Sequence, residues 1–152
     1  MNGHNDIYMM ILAVIALRFR NWIALAASWF VKEATLVLTP LFFFKLSWES
    51  MLIISYWLLA AVFFIAAPLR EELYPWYAVW LIVPAAFLAY KKHVFLWQFT
   101  IVLSFALELR NLPYMWMAYY EGPGPMVRTL LTVIPVGMYL LWYFVVKKQK
   151  LY

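Results

Sequence analysis

Apolar residues in this chain run in long blocks separated by short polar or charged patches, with no sustained two-residue alternation that would mark half-buried strands. Breaking the blocks at charge gives Ile7 to Leu17, Trp22 to Phe44 with Lys32 and Glu33 inside it, Met51 to Leu69, Leu73 to Tyr90, Val94 to Leu107, and Leu130 to Val146. At helical rise, the third, fourth and last blocks reach roughly 26 to 29 Å, close to the ~30 Å hydrocarbon core of a bilayer. Ile7 to Leu17 is shorter, roughly 16 Å, and crosses only if Arg18 and Arg20 snorkel outward. The pattern predicts an all-α fold: a polytopic membrane helical bundle with about five to six membrane segments. The longest loop is expected from Arg110 to Arg128, where Asn-Leu-Pro-Tyr and Glu-Gly-Pro-Gly-Pro break helical continuity. No internal repeat or composition shift divides the chain, so residues 1–152 read as one transmembrane domain. The start, with no basic stretch ahead of Ile7, does not read as a cleaved leader.

The block from Trp22 to Phe44 decides the topology. If it crosses once, Arg18, Arg20, Arg70, Arg110 and Arg128 share one side, and Lys45, Lys91, Lys92, Lys147, Lys148 and Lys150 share the other, which is no bias. If it enters, breaks near Lys32-Glu33 and returns, then Arg18, Arg20, Lys45, Lys91, Lys92, Lys147, Lys148 and Lys150 gather on one side, which becomes cytoplasmic together with the C-terminus. The other side then holds Asp6, Lys32, Glu33, Arg70, Glu71, Glu72, Glu108, Arg110, Glu121 and Arg128, with Glu49 alone among the acids left inside. The broken re-entrant hairpin is therefore preferred. Its arms of about ten residues are too short to span lipid and must pack inside the bundle, and Thr39-Pro40 suits a distorted second arm.

Composition sharpens this picture. With 68% apolar residues, 12% charged residues and a mean hydropathy of +0.81, the chain has too little polar surface for an ordinary water-soluble globule. The net charge of +5 then marks membrane topology and does not point to nucleic acid. The absence of cysteine excludes disulfides and thiolate metal sites.

Under the hairpin topology, chemistry-bearing residues converge on the outer face. A lysine at membrane depth costs about 2.5 to 3.5 kcal/mol on insertion scales, so Lys32 needs a partner. Glu33 or a helix carbonyl would make it structural, whereas a lipid-linked phosphate would make it functional. Asp6, placed just before the first helix, can act as an N-cap. With His4 and Asn5 it can also orient a sugar hydroxyl, serve as a base, or hold a hard divalent cation through oxygen. Tyr74-Pro75-Trp76-Tyr77 and Trp80 suit either an interfacial aromatic belt or a wall for sugar rings and prenyl chains. Arg110 and Arg128 can stay hydrated or clamp a phosphate, and His93 reads as a surface residue.

The order Gly3-His4-Asn5-Asp6, Arg18-Phe19-Arg20-Asn21-Trp22, Ala26-Ala27, Lys32, Thr39-Pro40, Tyr74-Pro75-Trp76-Tyr77, Trp80 and Pro84 resembles the later part of GT-C-type membrane glycosyltransferases. These use polyprenyl-phosphate-linked sugars and include mannosyltransferases. The resemblance covers roughly Asn2 to Tyr90. It implies an all-helical transferase, active at the outer face of a plasma or inner membrane, moving a sugar, with mannose favoured, from a polyprenyl phosphate to an acceptor. It implies catalytic roles for Asp6 and His4, and substrate binding by Asn5, Lys32, Tyr74, Trp76, Tyr77 and Arg110. Members carry their principal catalytic acid in an upstream outer loop, so the chain is expected to be a C-terminal portion of such an architecture, or to work with a protein partner that supplies the first half. The alternative is a non-catalytic membrane subunit or small transporter-like protein, in which Lys32, Glu33 and Glu108 form a buried ion-pair or proton pathway.

Overall fold

The computed structural model of the protein describes residues 4–66, 74–90, 93–113 and 124–149, and these are helical with no strand among them. Arg70, Glu71, Glu72, Lys91, Lys92, Glu121 and Lys150 lie outside the described residues, as do the side chains of His4, Lys147 and Lys148. The chain divides into two compact units, Met1–Trp97 and Gln98–Tyr152, each treated separately below.

In the first unit, α1 (His4–Phe19) is longer than the apolar block predicts, about 24 Å at helical rise. Asn5 and Asp6 join its first turn and do not merely precede it. Asp6 can do so because its charge is met from elsewhere in the fold, as described below. The helix ends where Arg20 adopts φ 50°, a left-handed conformation that costs a non-glycine residue roughly 1 to 2 kcal/mol. The Asn21 amide then reaches back to the Ala16 carbonyl at 3.0 Å, the six-to-one closure of a Schellman cap. Asn21 also caps the next helix, its side-chain oxygen accepting from the Ala24 amide at 3.0 Å. One tight corner thus reverses the chain.

Helix α2 (Trp22–Val31) packs back along α1, and Met9, Ala13 and Ala16 of α1 and Leu25 and Ser28 of α2 are buried. It stops at Lys32, whose backbone is extended (φ −161°, ψ 129°). A 3₁₀ segment, Glu33–Phe42, follows and returns the chain. Ten residues is long for this geometry. Pro40, which has no amide to donate, and the Thr39 hydroxyl, which donates to the Leu36 carbonyl three residues back at 2.6 Å, both suit it. The two arms are held at both ends. Near the break, the fully buried hydroxyls of Ser28 and Thr35 meet at 2.9 Å. At the mouth, the Trp22 ring lies 4.7 Å from that of Phe42 and 5.5 Å from that of Phe43. The expected break near Lys32-Glu33, with two arms of about ten residues, is what the chain adopts.

Helix α3 (Trp48–Ala61), capped by Ser47, extends through a π-helical turn at Val62–Ala66. A 3₁₀ turn, Pro75–Ala78, leads into α4 (Val79–Tyr90), which packs against α3 and α1 around Tyr56, Leu59, Leu81, Ala85 and Leu88. Charge and aromatic contacts then sort to two ends of this unit. At one end, the Arg18 guanidinium sits 5.5 Å from the Trp48 ring centroid, and Glu49 pairs with His93 at 2.9 Å. At the other stand the starts of α1 and α4 and the tip of the hairpin.

The unit boundary falls within α5 (Val94–Leu109), and the second unit continues to α6 (Gly124–Gln149). The expected loop is shorter at its C-terminal side than Arg110 to Arg128. Gly124 and Pro125 already belong to α6, because proline is tolerated in a first helical turn where its missing amide costs nothing, and Arg128 is therefore a buried helical residue. The Tyr139 hydroxyl donates to the Gln98 side-chain oxygen at 3.2 Å, which ties α6 to α5 within this unit.

Two helical stretches, Trp48–Ile65 and Met126–Val146, are long and apolar enough to cross a membrane. Apolar side chains also face outward elsewhere, including Phe30 (93% exposed) and Ile23 (82% exposed) on the hairpin.

Candidate functional site

The site forms where three chain segments meet: the first turn of α1, the break between the hairpin arms, and the turn that opens α4. The extended backbone at Lys32 releases its side chain from both arms. The Lys32 ammonium lies 3.1 Å from Asp6 Oδ1, and the Trp80 indole N–H donates to the same oxygen at 2.6 Å. Two aromatic faces complete the enclosure, with the ammonium 4.1 Å from the Tyr77 ring centroid and 5.1 Å from that of Trp80. Those two rings stack on each other at 4.8 Å. Cation–π attraction of this kind contributes on the order of 1 kcal/mol and grows when the cation is desolvated.

Exposure divides the pair unequally. The Asp6 side chain is 2% exposed and the Lys32 side chain 28% exposed. The carboxylate is therefore committed to two donors inside the protein, whereas the ammonium has three donors and keeps one side open. Against the Tyr77 ring, Tyr74 and Trp76 stack at 4.4 Å with planes only 7° apart, and Tyr77 meets both edge-on. Half-buried and planar, this pair makes an aromatic platform joined to the cation through Tyr77.

Asp6, Lys32, Tyr74, Trp76 and Tyr77 are thus brought together, as the sequence predicts. Asn5 is exposed on the first turn of α1. His4 lies in the same turn, with its side chain outside the described residues. Arg110 is half-buried in the second unit, in the turn after α5. The partner of Lys32 is Asp6, not the adjacent Glu33, which is exposed. Nor is Asp6 an N-cap preceding the helix: it lies within the first turn, and its carboxylate points to Lys32 and Trp80. Trp80, which the sequence reading places only in an aromatic wall, supplies the second donor to Asp6. The one sequence signal for it is its position at the start of a helix expected to face the same side. At the opposite end His93, read from the sequence as a surface residue, is part-exposed and pairs with Glu49 at 2.9 Å.

A divalent cation does not fit the Asp6 carboxylate, because the Lys32 ammonium already occupies the position of positive charge and would repel it. Among the described residues, no group of three His, Cys, Asp or Glu side chains converges elsewhere.

Comparison with known protein families, with curated protein sequences and with solved structures returns no match.

Proposed function

We propose that the chain is an integral membrane protein that handles a polyprenyl-phosphate-linked sugar at the outer face of a plasma or inner membrane, as the C-terminal part of a GT-C-like glycosyltransferase or together with a partner. The observation that carries this reading is the half-open cation: Lys32, held by a buried carboxylate and two aromatic faces, with a stacked Tyr74–Trp76 platform packed on Tyr77, one of those faces. A lipid-linked sugar phosphate has the complementary parts, namely an anion for the ammonium and a ring or prenyl chain for the aromatic surface.

In sugar transfer, the bond from the anomeric carbon to the phosphate oxygen breaks as the acceptor hydroxyl oxygen bonds to that carbon, and negative charge develops on the departing phosphate. Lys32 neutralises that charge. Asp6, buried and bonded to two donors, acts through Lys32 as a positioning residue. The acceptor proton goes to a base elsewhere, in the portion that carries the family's principal acid. Lys32 faces outward in this account, and the C-terminus faces the cytoplasm.

The same pair also supports a second reading. A salt bridge that ties α1 to the hairpin tip suits a non-catalytic membrane subunit, where it serves only to lock the helices. The proton-pathway form of that alternative calls for buried acids, whereas Glu33 and Glu108 are each exposed.

The test is transfer of labelled mannose from polyprenyl-phosphate-mannose in membranes containing the chain, with and without a candidate partner, alongside photo-crosslinking of the donor lipid to the chain. Donor crosslinking that is lost in Lys32→Gln supports the transferase reading. Wild-type crosslinking in Lys32→Gln, or none in the native chain, contradicts it.

A further inference from the structure

We infer that the opposite end of the first unit carries a second lipid site, a groove at the mouth of the hairpin that takes the headgroup of an anionic phospholipid. The groove is open to the outside, has a volume of about 650 Å³ and is lined by Arg20, Phe42, Phe43, Phe44, Lys45, Leu46 and Ser47. It rests on the membrane part of the proposed function and is independent of sugar transfer.

Charge complementarity identifies the occupant. The Arg20 guanidinium lies across the mouth, donating to the carbonyls of Phe42 at 3.5 Å and Leu46 at 3.4 Å, with a weak contact to Met51 Sδ at 3.8 Å. These bonds fix the cation without neutralising it. Lys45 is exposed, and neither cation has a carboxylate partner among the described residues. Glu49, the acid at this end, is engaged by His93. Around the two charges, Phe43 and Phe44 are 74% and 60% exposed, so a double-positive polar floor opens onto aromatic rims. A free anion would use the floor and leave the rims in water. A phospholipid uses both, with its phosphate between Arg20 and Lys45 and its acyl chains along the phenylalanines.

The experiment is native mass spectrometry of the full chain released from nanodiscs containing equal phosphatidylglycerol and phosphatidylcholine with identical acyl chains. Preferential retention of phosphatidylglycerol is expected. Lys45→Gln, which removes a charge that makes no bond among the described residues, should weaken it about five-fold, and Arg20→Gln with Lys45→Gln about twenty-five-fold. Phe30→Leu, on the exposed side of α2 near the hairpin tip, should leave it unchanged. Equal retention of the two lipids, retention insensitive to Lys45→Gln, or an equal loss in Phe30→Leu overturns the inference. So does displacement by millimolar glycerol phosphate, which would make this a soluble-anion site. A chain that fails to incorporate into nanodiscs at all overturns both this inference and the membrane reading, whereas incorporation without lipid preference overturns this one alone.

Discussion

The Lys32 ammonium and the Asp6 carboxylate stand 3.1 Å apart, one at the break of a folded-back hairpin and the other in the first turn of the helix beside it. Because the carboxylate is far more buried than the ammonium, the two halves of the pair differ in what their loss exposes. Lys32→Ala leaves a buried carboxylate with the Trp80 indole as its remaining donor and should cost about 3 to 5 kcal/mol. Asp6→Asn leaves a cation that can turn to solvent and keep its aromatic neighbours, and should cost about 1 to 2 kcal/mol. Thermal unfolding in detergent checks the order. The double variant should be less damaging than the sum of the single variants, by about 1 to 3 kcal/mol.

Trp80→Phe keeps a ring against Tyr77 but removes the donor to Asp6. A hydrogen bond to a charged group contributes about 1.5 to 3 kcal/mol, so unfolding should shift by about that amount. Trp76→Phe, on the platform, should shift it by less than 1 kcal/mol. Equal shifts would contradict the role assigned to the indole N–H.

The hairpin makes a covalent prediction. The chain has no cysteine, so a Trp22→Cys, Phe42→Cys pair is free of background. Their rings meet across the mouth of the hairpin, and a short bifunctional thiol reagent should link the pair within one chain. Trp22→Cys with Lys32→Cys, at opposite ends of α2, should not link with the same reagent.

In functional terms, Lys32→Gln should weaken crosslinking to a polyprenyl phosphate about ten- to a hundred-fold, the range of a charge-assisted contact. Tyr74→Ala with Trp76→Ala should leave phosphate-dependent binding largely intact while reducing discrimination between sugar-bearing and sugar-free carriers. A loss of both together would place the platform in folding and not in recognition.

How far these features were legible in the sequence differs by scale. The helix-breaking position followed from charge counting, since two charged residues inside an apolar block make sense as a tip. The shared face of Asp6, Lys32 and Tyr74 to Tyr77 followed from that fold-back. Pair identities did not follow. Glu33 is adjacent to Lys32 and Asp6 is distant, and no local spacing reveals that extended backbone at Lys32 aims the ammonium at α1. The length of α1 was missed for the same reason, because the buried Asp6 joins its first turn on the strength of distant partners, Lys32 and Trp80. Arg20, at a left-handed corner usually given to glycine, carried no sequence signal for its role at the hairpin mouth.

The claim on which all else depends is that the chain reverses at Lys32 and so places the start of α1 and the start of α4 at one membrane face. Single-cysteine variants Asn5→Cys, Tyr74→Cys and Lys45→Cys, treated in intact cells with a membrane-impermeant thiol reagent, test it directly. The account predicts that Asn5→Cys and Tyr74→Cys label from outside and that Lys45→Cys labels only after permeabilisation. Labelling of Asn5→Cys and Tyr74→Cys from opposite sides would contradict it.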